Sequence, residues 1–177
     1  MAQFEEIMND ELDRYRPESK KRKLSVEALR VPLSSIDAGV AATLPIGALV
    51  DQAVRIIEQP GMSCVMITDK AERLIGLITE RDLCTRVISN NVDPKTTRVE
   101  DIMTADPITL RTDQPLTFAL AQMDVGGYRH IPLVDRDSRP AGVITARRII
   151  NYIAEFFPEE IAVLPPRETA PGQRHGG

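Results

Sequence analysis

The feature that most constrains this chain is an internal repeat. Compared with itself at an offset of 66 positions and with no gap, the sequence pairs Gly61 with Gly127, Asp69 with Asp135, Gly76 with Gly142, Ile78 with Ile144 and Thr79 with Thr145. The same offset pairs Ile36 with Ile102, Thr43 with Thr109, Leu44 with Leu110, Ala53 with Ala119, Arg73 with Arg139 and Arg81 with Arg147. Self-similarity at a fixed period means one supersecondary unit used twice. The matched residues fall where backbone geometry is demanding. Gly61 and Gly127 each follow an amphipathic stretch, where a helix stop favours a left-handed residue. Asp69 and Asp135 end apolar runs and open polar turns. Gly76 and Gly142 sit inside the short apolar segments LIGLI and PAGVI, where a missing side chain marks a bulge or close packing.

Each unit reads as a short extended piece, a helix, two strands and a helix. In the first these are residues 41–44, 48–59, 63–68, 74–78 and 79–90; in the second, 107–110, 115–125, 129–134, 141–144 and 145–157. Val50, Ala53, Val54 and Ile57 recur at helical spacing, and TFALAQM gives a broader apolar surface. A unit of this size cannot bury both its sheet and its helices alone, so the two are expected to pack together about a pseudo-twofold axis as an α+β fold. The organisation read from the sequence is an arm or helix over 1–30, repeat units over 31–92 and 93–157, and a disordered tail over 158–177 that is rich in Pro, Gly and charge.

Composition narrows the classes of function. A formal charge of −4 argues against binding nucleic acid through the overall field, and the basic cluster Lys20–Lys23 lacks interleaved aromatics. The N-terminus has no continuous apolar run, and Ala38–Val50, the longest uncharged stretch after Asp37, is too short and too rich in Gly, Ala and Pro to span a bilayer. A cytoplasmic protein with no membrane association is expected. Cys64 and Cys84 both lie in apolar stretches, which reads as two buried thiols rather than a disulfide framework. His130 has one other histidine as company, His175, which lies in the tail, so no metal site is expected.

The segments GLITERDL and GYRHIPLVDRDSRPAGVITARRI resemble the cystathionine-beta-synthase (CBS) domain, whose pattern runs from a Gly and a His-Leu-Pro-Val-type strand to a second strand and then Gly-x-Ile-Thr-x-x-Asp. The resemblance covers about residues 31–157 and implies a tandem CBS pair of the stand-alone type. It further implies a non-catalytic regulatory module that holds AMP, ADP, ATP or S-adenosylmethionine between its units and signals to a separate partner protein, the alternative being a ligand-independent adaptor. No nucleophile elbow, P-loop or metal-binding spacing points to an enzyme.

Thr79 and Asp82 carry two readings. As a capping box, Thr79 caps a helix and Asp82 reaches back to its backbone donor. By the resemblance, Asp82 accepts from ribose hydroxyls, which suits a group that only accepts. In the second unit the matching residues are Thr145 and Arg148, and Arg148 departs from the family pattern, because arginine cannot accept a hydrogen bond. Arg148 therefore either faces a phosphate or acidic partner or extends into water, and Arg81 and Arg147 share that ambiguity. Arg129 and His130 stand side by side on a strand, so their side chains point to opposite faces; by the resemblance, basic residues there contact phosphate. Unit one has Ser63 and Cys64 at those places, so the ribose acid and the basic strand are split between units, and one good site rather than two is expected. A homodimer is expected from apolar helix faces in VDQAVRII and TFALAQM.

Overall fold

The computed structural model describes residues 24–40 and 42–158. Both repeats lie in one compact unit, Ser25–Tyr152. Residues 1–23 of the sequence-predicted arm and 159–177 of the predicted tail lie outside the described residues. Described elements run α1 (Val26–Leu29), β1 (Thr43–Pro45), α2 (Val50–Ile57), β2 (Cys64–Thr68), β3 (Leu74–Thr79), α3 (Glu80–Asp82), β4 (Thr104–Ala105), β5 (Leu110–Arg111), α4 (Leu116–Gly126), β6 (His130–Val134), β7 (Pro140–Thr145) and α5 (Ala146–Ala154).

Both units have the expected order. One sheet runs β1-β2-β3-β4 and the other β5-β6-β7. In each, the first strand is parallel to the second and the second antiparallel to the third. The registers coincide at the 66-residue offset: Cys64 faces Thr79 as His130 faces Thr145, and Ile67 faces Gly76 as Leu133 faces Gly142. Each ladder has an irregularity at the corresponding place, between Ile67 and Thr68 and between Leu133 and Val134. Asp69 Oδ1 accepts from the amides of Ala71 and Arg73, as Asp135 Oδ1 accepts from Asp137 and Arg139. Even the left-handed residues of the two turns correspond, Glu72 at φ 62° and Ser138 at φ 63°. Gly127 caps α4 with φ 66°, the left-handed stop that its place after the apolar stretch predicts.

The units exchange their leading segments. Leu33–Ser35 and Val99–Asp101 form matching 3-10 turns. The first docks on the second unit, with Leu33 N donating to Gln114 O and Leu116 N to Val31 O. The second docks on the first unit, with Val99 N donating to Ala48 O and Val50 N to Thr97 O, the same bonds displaced by 66. Reciprocal contact of this kind is what a pseudo-twofold relation requires. It reaches the core. Val50, Ala53 and Ile57 of α2 pack on Val65, Ile67 and Ile78 of the sheet together with Val99 and Ile102 from the second unit's leading segment. On the sheet's other face Cys64, Met66 and Leu77 meet Val143 of β7. Both faces of β2 are thus covered, as the size argument anticipated.

Three expectations fail locally. The helix expected over 79–90 is α-helical only through Asp82 and continues as a wider π turn over Leu83–Ile88. Thr85 Oγ1 donates to Arg81 O at 2.8 Å, occupying the carbonyl that the Thr85 amide would use in an α-helix. That turn buries Val87 alone and leaves Cys84 exposed, so of the two cysteines only Cys64 is buried. The apolar face of VDQAVRII is likewise spent on its own core rather than left open to a partner, with Val54 and Ile56 packed against it.

Candidate functional site

The turn from β3 into α3 is built by its own side chains. Thr79 ends β3 in an extended conformation, and its Oγ1 accepts from Asp82 N at 3.4 Å. Asp82 Oδ2 accepts from Thr79 N at 2.9 Å and from Thr79 Oγ1 at 2.6 Å. The capping-box reading is therefore realised. Asp82 Oδ1 lies 3.4 Å from Arg86 Nε, and the Asp82 side chain is 13% exposed. Arg86 also donates from Nη1 to the carbonyls of Ile102 and Met103 and from Nη2 to Thr104 Oγ1 at 3.3 Å. One guanidinium thus ties Asp82 to the exchanged segment that forms the sheet edge beside it.

His130, at the start of β6, comes from the other unit. Its Nε2 lies 2.9 Å from Ser63 Oγ, across the boundary between repeats. Burial holds its pKa below the ordinary histidine value; the carboxylate of Glu80 and, more weakly, that of Asp82 pull the other way, and Arg129 adds to the lowering. Asp82 of the first unit and Arg129 of the second, both named from sequence, thus act in opposite senses on the His130 ring. Arg129 is exposed while His130 is half-buried, consistent with side chains on opposite faces. Cys64, the ladder partner of Thr79, has its thiol pushed up to about 11 by burial and by Glu80.

Thr145 and Arg148 go elsewhere. Thr145 Oγ1 accepts from Arg148 N at 3.3 Å, a cap like that of Thr79. The Arg148 guanidinium neither extends freely into water nor faces an open anion site: Nη1 donates to both the carbonyl and the carboxylate of Asp37, each at 2.5 Å. Asp37 lies in the leading segment of the first unit, brought here by the exchange. Sequence reasoning missed Asp37, Glu80 and Arg86, and gave Ser63 no role beyond marking the place of the basic strand in the first unit. Arg86 was findable, because it stands four residues after Asp82 on a helical stretch; Asp37 and Ser63 are joined to their partners only by the tertiary fold.

Two depressions lie apart from the Thr79–Asp82 turn. One of about 260 Å³ is lined by Arg111, Asp113, Asp135 and Arg136, and one of about 170 Å³ lies between Leu74, Asp106 and Ser138. Among the described residues no cluster of three or more His, Cys, Asp or Glu could hold a metal, and no helix is long and apolar enough to cross a membrane.

Comparison with known proteins agrees with this architecture. The CBS domain pattern matches residues 38–89 and 99–155. The chain is 30% identical over 115 residues to a homoserine O-acetyltransferase from Methanohalobium evestigatum, a match covering 65% of this chain and 22% of that protein. It spans 17–18% of two Arabidopsis thaliana CBS domain-containing proteins at 35% identity. Among solved structures it resembles a CBS domain protein from Pyrobaculum aerophilum complexed with AMP, at 19% identity and a TM-score of 0.63 over 72% of this chain and 99% of that one. It also resembles the CBS domain pair of protein MJ0100 in complex with 5′-methylthioadenosine and S-adenosyl-L-methionine, at 22% identity and a TM-score of 0.63 over 71% of this chain and 97% of the other. With two matched copies, related throughout by one register, this chain belongs to the CBS domain family as a tandem pair.

Proposed function

We propose that this chain is a non-catalytic regulatory module that binds an adenine nucleotide or adenosyl compound beside Thr79 and Asp82 and signals occupancy to a partner protein, acting as a homodimer. The observation that supports the reading is that His130 of the second repeat bonds Ser63, which adjoins Cys64, the ladder partner of Thr79, so a basic strand of one repeat comes beside the turn that carries Asp82, an acceptor suited to a ribose diol. A ligand there touches both units, so its binding energy can bias how they pack. The AMP and S-adenosyl-L-methionine complexes of its structural relatives support that ligand class. For dimerisation, the support is the exposure of Phe118 and Val125 on α4.

A second reading, a ligand-independent adaptor, draws on a specific observation: both Asp82 oxygens are engaged internally, one by Thr79 and one by Arg86. Calorimetric titration of AMP, ADP, ATP and S-adenosylmethionine separates the two. Binding that Asp82→Ala weakens supports the sensor; heatless titrations across the panel would leave the adaptor.

A further inference from the structure

The repeat breaks its own symmetry at one chemically decisive place. Position 82 is an aspartate and its counterpart, 148, an arginine, while the surrounding backbone is conserved between the units: a threonine caps each helix, and an exchanged segment runs beside each β3-type strand. The partner of each arginine falls at one corresponding point on those segments. Met103 O, in the segment beside the first unit, accepts from Arg86; Asp37 O, its counterpart at the 66-residue offset, accepts from Arg148. The two guanidinia start from different turns of the second helix. Arg86 starts one turn beyond the ribose-acid position and leaves the carboxylate in place. Arg148 starts from that position itself.

Arg148 then runs tight against the segment it holds. A side chain carbon added to Gly39 would come within 3.1 Å of Arg148 Nε and 3.2 Å of Nη2. Gly39 in turn exchanges amide bonds with Val143 of β7. The Arg148 side chain is 28% exposed, whereas that of Asp37 is 93% exposed. An ion pair with so wet a carboxylate is strongly screened, so the bond to the Asp37 carbonyl is the more durable half of the contact. Together they place a donor-only group where the first unit offers an acceptor, pinned by a segment of the same chain.

We propose that Arg148, held by Asp37, blocks the place in the second repeat that corresponds to Thr79 and Asp82 in the first, so that the module takes one nucleoside per chain. This rests on the proposed ligand class but makes a separate statement about valence. A ribose diol at that place meets an arginine where the first unit has Asp82, and clearing space means breaking the two bonds from Arg148 to Asp37.

The test uses the full chain and AMP as probe. Calorimetry should give one AMP per chain for the wild type and two for the double variant Asp37→Ala, Arg148→Asp, which removes the latch and installs an acceptor. A wild type that binds two overturns the closure while leaving the proposed function standing, and a double variant that still binds one also overturns it. Hydrogen exchange on ligand-free protein reads the latch without nucleotide: Arg148→Ala should speed exchange of the Gly39 amide roughly tenfold or more. Unchanged exchange there refutes the latch whether or not AMP binds, and the proposed function falls separately, only if the whole panel of AMP, ADP, ATP and S-adenosylmethionine is silent.

Discussion

His130 Nε2 and Ser63 Oγ sit 2.9 Å apart and join the two repeats through a half-buried hydrogen bond. Because burial holds His130 below 6.5, the unfolded chain binds more protons than the folded one between that value and the lowered one. The neutral ring's contribution is therefore complete above pH 6.5 and is lost as pH falls through the folded value. Glu80 and Asp82 oppose the shift and Arg129 reinforces it. Urea midpoints should drop between pH 7.5 and 5.5, and His130→Gln should flatten that drop; an equal drop in the variant would assign it to other groups.

The same histidine makes a prediction about ligand charge. A phosphate near Nε2 favours the protonated ring, so binding a phosphate ester there takes up a proton. AMP affinity should rise from pH 8 to pH 6, while that of 5′-methylthioadenosine, which has no phosphate, should change little. Parallel curves for the two ligands would remove His130 from the phosphate site.

Asp82 has a structural duty and a proposed binding one, and two substitutions part them. Asp82→Ala removes the acceptor of both Thr79 donors and should cost about 1 kcal/mol, the usual scale for a lost cap. Asp82→Asn keeps one carbonyl acceptor for Thr79 but loses the charge that draws Arg86. Chemical denaturation should find the asparagine variant closer to the wild type than the alanine one. Calorimetry should find both weakened for nucleotide; an asparagine variant with undiminished affinity would reduce Asp82 to a cap.

The two thiols should differ sharply. Cys64 is buried, and a thiol pushed up to about 11 leaves roughly one part in a thousand as thiolate at pH 8. Cys84 is exposed on the π turn. Iodoacetamide on native protein should label Cys84 alone, with Cys64 following only in denaturant. Equal labelling of both would show that the face of the sheet around Met66 opens readily.

The fold was legible because the repeat recurs at the same spacing in residues whose backbone roles are local: the Asp69 and Asp135 turns, the Gly127 stop, the Thr79 cap. Each is set by a few neighbours, so sequence carries it. What sequence did not carry was the exchange of leading segments, because nothing in residues 33–40 says which unit they will lie on. The choice between an acidic contact and solvent for Arg148 stayed open for that reason, its partner Asp37 being 111 residues away. Cys84 was misjudged for another: an apolar neighbourhood predicts burial only if the helix phase is known, and the Thr85 hydroxyl changes that phase.

Gly76 and Gly142 correspond in sequence but should respond differently to substitution. A side chain carbon on Gly76 would fall 2.2 Å from Met103 Sδ, a flexible side chain that packs against the first core. Gly76→Ala should cost roughly 1–3 kcal/mol as Met103 is displaced. Met103→Ala should then cost less beside Gly76→Ala than in the wild type, a coupling on the order of 1 kcal/mol in a double-mutant cycle. At Gly142 the obstacle is backbone. Its φ of 153° is one that side chains rarely adopt, and the added carbon would meet Ala38 Cβ at 3.1 Å and the Gly39 carbonyl oxygen at 3.4 Å. Ala38→Gly removes only the first contact, so Gly142→Ala should stay destabilising in that background by thermal or urea denaturation. Full recovery there would mean that Ala38 crowding, and not backbone conformation, keeps position 142 a glycine.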